Sequence, residues 1–294
     1  MEKIELQGVA QTLLITLTAR ARDAAESHPI LGDTAALALA RRLDDDSTHC
    51  RMTWMSYYGI LARALTMDRE VRRWMHRHPG GTVVSLGAGL DTRFARVDDG
   101  KVRWVNMDFP EVIRYREMLL ATHPRVTNIA GNMLTRDWAC RVPHDGPLLL
   151  VAEGVVMYLT WEEIGTFLRV ATAEFPTFDM HLDFAQPWLV GRGRQHDAVR
   201  HMHAEFRSGT WHGKEITELM PGIHQTGYIN FTDTMRHLVP GWRKLAVPML
   251  YVMNNRMGMY HYDAVAIHSD LRDVWGKHRH ASAVQSPAYA EMKE

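Results

Sequence analysis

In VVSLGAGLDTRFAR (residues 83–96), a short apolar and β-branched run leads straight into Gly87, Ala88 and Gly89. Glycines at such a point let the chain turn sharply and bring its backbone against a ligand with no Cβ in the way, which is how a strand-to-helix turn receives a nucleotide. A dinucleotide site asks for a third glycine three residues on, and this chain has Thr92 there, which argues against NAD. Asp108 stands 19 residues beyond Gly89 at the end of the next apolar run, near the offset at which a strand-end carboxylate meets ribose hydroxyls. Plainer roles compete: the glycines allow close strand–helix packing, and Asp108 caps the helix that follows.

Glu153 follows the apolar run in PLLLVAEGV (residues 147–155). A carboxylate there points into the crevice above the strand ends, where open α/β sheets bind ligands; its plain alternative is a favourable charge at a helix N-terminus. S-adenosylmethionine makes different demands from NAD, and acidic groups near the glycine turn are useful for meeting them. It has no pyrophosphate to rest on a helix terminus, and it carries a sulfonium, an ammonium and a carboxylate that charged side chains can address.

These residues need a sheet to hold them. Residues 8–78 carry apolar positions at helical spacing, such as Leu37, Ala40 and Leu43, then Tyr58, Leu61, Ala62 and Leu65, and HRHPGG (residues 76–81) ends this helical layer. Strands at residues 82–89, 102–109, 126–133 and 147–155 then alternate with helices at 111–123 and 161–175, the last with Thr160 as its N-cap. Such alternation predicts a parallel sheet with right-handed crossovers. After a strand at residues 178–184, the polar, His- and Arg-rich residues 186–227 break the pattern and read as a helical lid. Strands are expected at residues 242–252 and 257–268, joined by a tight hairpin at Asn254, Asn255 and Arg256, with a frayed tail from Ser269. The expectation is one domain over residues 1–294: a helical layer (1–78), a cofactor-binding core (79–185), the lid (186–227), and C-terminal strands and tail (228–294).

The balance of 34 basic and 34 acidic residues leaves no net field to drive binding along nucleic acid or to an anionic membrane, so a small-molecule partner is expected. Cys50 and Cys140 form neither a disulfide framework nor a thiolate cluster, which fits a reducing cytoplasm. The amino terminus is amphipathic, and no run approaches the length of a membrane span, so neither a signal peptide nor a span is expected.

LGAGLDTRFAR (residues 86–96), NMDFPEVIRYR (106–116) and AEGVVMYLT (152–160) occur in an order and spacing that resemble the leucine carboxyl methyltransferase superfamily. TLLITLTARARDAAESHPILGDTAA (residues 12–36) is similar to its bacterial, tetracenomycin-type branch of polyketide O-methyltransferases. The resemblance covers residues 12–184. It implies a Rossmann-like class I methyltransferase α/β sheet and S-adenosylmethionine as cofactor. Residue by residue, it implies cofactor contacts from Gly87, Ala88, Gly89 and Asp91 at the turn, from Asp108 and Phe109 after the second strand, and from Glu153. Arg63 matches an arginine that holds the cofactor carboxylate, and Arg20 is a second candidate for a related role. Where the family often has an aspartate for the adenine amine, this chain has Asn132, whose amide oxygen can accept the same bond, with Met133 beside it. Tyr158 matches a tyrosine near the acceptor; otherwise it is an aromatic core residue.

Methyl transfer from a sulfonium is an in-line displacement that asks for alignment and exclusion of water. A carboxylate acceptor is already ionised at neutral pH, whereas a phenol needs a base. No persuasive base stands out, which favours the carboxylate of an apolar or aromatic, polyketide-like acid, covered by lid residues such as Trp188 and Trp211. A phenol acceptor, with a lid histidine as base, remains the alternative; an NAD oxidoreductase and a non-catalytic binding module are further ones. Of the 17 histidines, His196, His201 and His203 lack the helical i, i+4 spacing of a zinc pair, and no metal is expected.

Overall fold

The computed structural model describes residues 13–43, 52–191 and 205–264. Before the sheet lie helices α1 (Leu13–Ala24), α2 (Thr34–Ala40) and α3 (Trp54–Arg77). Asp33 caps α2 by accepting the Ala36 N–H, and Thr53 caps α3 by accepting the Ser56 N–H; each such cap is worth about 1 kcal/mol. The alternating region then gives β1 (Thr82–Leu86), α4 (Arg93–Val97), β2 (Arg103–Asp108), α5 (Pro110–Leu119), β3 (Val126–Ala130), β4 (Leu148–Ala152), α6 (Trp161–Glu174) and β5 (Thr177–Phe184). Thr160 and Glu163 form a reciprocal capping box at the start of α6.

The sheet order is β3-β2-β1-β4-β5-β7-β6, with β1 to β5 parallel and β7 (Arg256–Asp263) antiparallel to both β5 and β6 (Ile223–Asn230). The order of connection reverses between β1 and β4, so their carboxyl ends open a crevice at the switch point of a Rossmann-like sheet. Gly87 follows β1 and Glu153 follows β4, one on each side of that crevice.

Both faces of β1 and β4 are covered, all five residues of each being buried, which is why β4 reads LLLVA with no polar residue. Val83, Leu149 and Val151 pack toward Met67, Val71 and Trp74 of α3, and Val84, Leu148 and Leu150 pack with Ile164, Phe167 and Leu168 of α6. The helical layer is therefore part of the core, and α3 carries Arg63 to the crevice along a rigid rod.

The carboxyl-terminal third differs from expectation. No strand forms over residues 242–252: Gly241–Ala246 is a 3₁₀ segment and Val247–Met253 is a helix, here α9. Its Leu, Val and Tyr content suits a strand, but Pro248 lies in the first helical turn, where its fixed φ and missing N–H favour a helix start. Asn254 and Asn255 therefore link α9 to β7 and make no hairpin, and the strand expected over residues 257–268 is β7, ending at Asp263. Residues 223–227, expected in the lid, belong to β6, whose bulge falls between Gln225 and Gly227 and leaves Gly227 where an added Cβ would strike Met259. The described remainder of residues 186–227 holds one 3₁₀ turn (Pro187–Leu189) and α7 (Glu215–Leu219). Helix α8 (Thr232–Leu238) completes the elements named here. No helix among the described residues is long and apolar enough to cross a membrane.

Candidate functional site

A cavity of about 680 Å³ opens above the carboxyl ends of β1, β2 and β4 and runs beneath α1 and α3. The glycine turn at its base is held from behind. Asp108 Oδ2 accepts the Gly89 N–H at 2.7 Å, and its Oδ1 accepts the Phe109 N–H at 2.7 Å, so the carboxylate ties the tip of β2 to the turn after β1. Each oxygen keeps a further lone pair. Burial raises the Asp108 pKa, against the lowering effect of those two N–H donors and of Arg116. Gly87 has φ +58°, and an added Cβ would lie 2.5 Å from Val155, so this position requires glycine twice over.

Arg116 of α5 is a brace the sequence did not reveal. Its Nη1 donates to the carbonyls of Ala88, Gly89 and Asp91 at 3.2, 2.7 and 3.0 Å. Burial pushes its pKa down to about 10 despite Asp91 and Asp108 nearby. Thr92, where a dinucleotide site would need glycine, is buried and donates to Asp33 at 2.6 Å while accepting from Arg20 at 2.7 Å. That position is filled by internal bonds.

One wall carries an interlocked set of charges. Arg93 bonds Asp68 at 2.7 Å, Asp91 at 3.0 Å and also Glu153; Arg96 reaches Asp33 and Asp68 at 2.6 and 2.7 Å. Arg20 reaches Asp33 at 2.9 Å and Asp91 at 3.3 Å. Burial works against the charges of Asp91 and Glu153, but Arg93 and its neighbours outweigh it, holding Asp91 well below the usual carboxylate range and Glu153 below its own. Both therefore stay ionised at neutral pH. Arg93 and Arg96 sit at i and i+3 in GLDTRFAR, and that spacing on one helical face was the signal available to find them.

Arg63 projects from α3 between two carboxylates, with Nε on Glu153 at 2.9 Å and Nη1 on Asp183 at 3.3 Å. Burial and two carboxylates act on it in opposite senses, and the carboxylates prevail and raise its pKa. Tyr158, in the 3₁₀ turn after β4, stacks on Phe206 with centroids 5.5 Å apart.

The structure brings the residues singled out by the family resemblance to this one cavity: Arg20, Arg63, Gly87, Ala88, Gly89, Asp91, Asp108, Phe109, Asn132, Met133, Glu153 and Tyr158 all line it. Asn132 Oδ1 already accepts the Leu134 N–H at 3.0 Å and keeps one lone pair for a ligand. Phe109 is 48% exposed at the cavity edge. Trp188 lines the cavity, but Trp211 does not: it lies outside under the Arg256 guanidinium, 4.9 Å from its ring, which removes it from the acceptor cover. His196, His201 and His203 lie outside the described residues, among which no cluster of metal-ligating side chains occurs.

The donor set fits S-adenosylmethionine. A glycine turn with backbone exposed, a strand-end carboxylate, and an arginine beside a glutamate correspond to its ribose, carboxylate and ammonium. Away from these groups the lining turns apolar, with Met55, Ile60, Met157, Phe206, Phe231, Met235, Leu250 and Met253.

Comparison with known proteins agrees with this geometry. The sequence model of the family described as leucine carboxyl methyltransferase matches residues 13–172. The chain is 33% identical over 223 residues, 76% of its length and 83% of the relative's, to the tetracenomycin polyketide synthesis O-methyltransferase TcmP of Streptomyces glaucescens. It is 31% identical over 192 residues, 59% of its length and 63% of the relative's, to the S-adenosyl-L-methionine-dependent methyltransferase dpfgK of Gibberella zeae. Among solved structures, a DUF574 family protein from Streptomyces avermitilis superposes with a TM-score of 0.51 at 16% identity, covering 83% of this chain and 97% of that one, a likeness of fold.

Proposed function

The chain belongs to the leucine carboxyl methyltransferase family and is an S-adenosylmethionine-dependent methyltransferase, and from that premise we propose that it forms a methyl ester on the carboxylate of a small, apolar, polyketide-like acid. One observation carries the choice of nucleophile. The described lining of the cavity contains no histidine, lysine or cysteine, and its carboxylates are engaged, Asp91 and Glu153 by arginines, Asp108 by the Gly89 and Phe109 N–H groups, and Glu163 by the Thr160 N–H and Arg207, so none stands ready as a base for a phenol. A carboxylate arrives ionised and needs only to be aimed.

When bound, S-adenosylmethionine would supply an electrophilic methyl group, its sulfonium sulfur leaving as the neutral thioether as the acceptor oxygen bonds to the methyl carbon. In this reading Asp108 accepts hydrogen bonds from the ribose hydroxyls, and Phe109, Asn132 and Met133 take the adenine. Arg63 donates to the amino-acid carboxylate from Nη2, and Glu153 holds the ammonium. Gly87, Ala88 and Gly89 let the backbone approach, while Asp91, tied to Arg93, Arg96 and Arg20, keeps the turn rigid. The donors of Arg20 are taken by Asp33, Thr92 and Leu90, which makes it a brace more than a ligand.

Tyr158 positions the acceptor by donating to one carboxylate oxygen, leaving the other to attack. The apolar lobe, with Trp188 over it, excludes water and seats the body of the acid. The homology with TcmP supports a polyketide-like acceptor. The test is product chemistry with methyl-labelled cofactor and a panel of aromatic acids and phenols. Label released as methanol by mild alkali supports the ester, and an alkali-stable aryl ether refutes it.

A further inference from the structure

Arg63 lines the cavity, but its orientation is set by a residue that does not. Asp183, at the end of β5, is wholly buried and absent from the cavity lining. One of its oxygens accepts from Arg63 Nη1 at 3.3 Å, and the other accepts the Gly154 N–H at 2.7 Å. Gly154, at φ +67°, places its Cα where an added Cβ would come within 3.5 Å of the Arg63 guanidinium. A single buried carboxylate thus fastens a side chain from α3 to the turn after β4, and both of those groups face the cavity.

We propose that Asp183 is a positioning residue that aims Arg63 at the amino-acid carboxylate of the cofactor, so that it sets affinity for the amino-acid half and not for the nucleoside half. The proposal deepens the reading that Arg63 grips that carboxylate, and it rests on it. Glu153 alone holds the guanidinium at one edge, through Nε. The second contact, on Nη1, fixes the plane of the fork and leaves Nη2 to reach the cofactor. The arrangement is kept at a cost: burial outweighs the attraction of Arg63 and pushes the Asp183 pKa up to about 6. A carboxylate held where its charge is disfavoured serves the groups it orients better than it serves stability.

The test compares S-adenosylhomocysteine with 5′-methylthioadenosine, which keeps the thionucleoside and lacks the amino-acid carboxylate and ammonium. Calorimetry is run on the wild type, Asp183→Asn and Arg63→Ala, with thermal melting to check folding. Asparagine keeps the volume and an acceptor for the Gly154 N–H but removes the negative charge that faces Arg63. Asp183→Asn is expected to weaken S-adenosylhomocysteine about tenfold, as for loss of a hydrogen bond to a charged group, and to leave 5′-methylthioadenosine unchanged. Equal loss for both ligands, or loss for neither, overturns the proposal. The arginine variant separates the two levels. If Arg63→Ala does not discriminate between the ligands, the Arg63 reading fails and takes this proposal with it. If it discriminates and Asp183→Asn does not, only the role of Asp183 is wrong.

Should Asp183→Asn fail to fold, the wild type decides through pH. Asp183 is faced by Arg63 from α3 and by Glu153 and the Gly154 N–H after β4. Burial works against the Glu153 charge, but Arg93 and Arg63 hold its pKa low, and burial pushes His181, two residues along β5, down to about 4. Asp183 is therefore the described group of this cluster that gains a proton as pH falls through about 6. Across that pH, S-adenosylhomocysteine should lose affinity relative to 5′-methylthioadenosine, and a constant ratio overturns the proposal.

Discussion

Asp108 and Gly89 are joined by a 2.7 Å hydrogen bond from the glycine N–H to the carboxylate, so the group that would receive the ribose also sets the turn beneath it. Its second oxygen is bonded to the next residue in the chain, Phe109. The helix that follows has Phe109 as its N-cap and no side-chain cap, so Asp108 holds the turn instead of capping the helix, and its remaining lone pairs are open to a ligand.

Asp108→Ala is expected to weaken S-adenosylmethionine binding by about 3 kcal/mol or somewhat less, since it removes charge-assisted bonds to the ribose and loosens the turn. The fold should persist, because the substitution acts at a strand tip and leaves the apolar core intact. Calorimetry beside a melting curve checks this; a folded variant with normal affinity would contradict the placement of the cofactor.

Arg116→Ala should lower cofactor affinity although Arg116 does not line the cavity. It leaves the carbonyls of Ala88, Gly89 and Asp91 without their shared donor, at a cost of about 1–3 kcal/mol to the turn. Arg116→Lys, a point donor in place of a fork, should recover part of the loss. Affinity equal to wild type in both variants would show that the turn holds its shape unaided.

Gly87→Ala combines a positive φ with a Cβ 2.5 Å from Val155, whereas Gly80→Ala meets a positive φ with nothing within 4 Å. The first is expected to cost more than the second, by about 1–3 kcal/mol of overpacking, and to impair cofactor binding as well. Denaturant titration of the two variants measures the difference, and equal losses would mean that Val155 moves aside freely.

Much of the site is legible in the sequence because turns, strand ends and motif order are local. The strand–glycine–strand pattern locates Gly87, Gly89, Asp108 and Glu153 on one crevice, and the family resemblance adds Arg63 and Tyr158 from distant segments. Arg93, Arg96, Arg116 and Asp183 are not legible in the same way. Their partners are carbonyls and carboxylates that lie mostly far along the chain, and the i, i+3 spacing of Arg93 and Arg96 marks a shared helical face without naming any of those partners. The strand expected over residues 242–252 fails for a different reason: β-branched and aromatic content favours it, but Pro248 in a first helical turn decides the local structure. Trp211 suits an acceptor cover by its type alone, and its position under Arg256 cannot be read from neighbouring residues.

Stability should depend on pH through Asp183 in a recognisable way. Its folded pKa of about 6 lies above its ordinary value of 3.8, so the folded protein binds its proton first. The resulting stability is fully present below the ordinary value and is lost as pH rises through about 6, and it is worth on the order of 3 kcal/mol. His181 acts oppositely, because its folded pKa of about 4 lies below 6.5 and stability is lost as pH falls between those values. The difference in unfolding free energy between wild type and Asp183→Asn isolates the first effect. It should shift in favour of the wild type on acidification from about pH 7 to about pH 5, and a difference independent of pH would contradict the buried-carboxylate account.

The most direct measurement is a crystal structure with S-adenosylhomocysteine. The account predicts ribose hydroxyls within hydrogen-bonding distance of Asp108, the amino-acid carboxylate on Arg63, the ammonium by Glu153, and the thioether facing the apolar lobe beside Tyr158. A nucleoside bound with its ribose away from Asp108, or an amino-acid carboxylate directed away from Arg63, would contradict it.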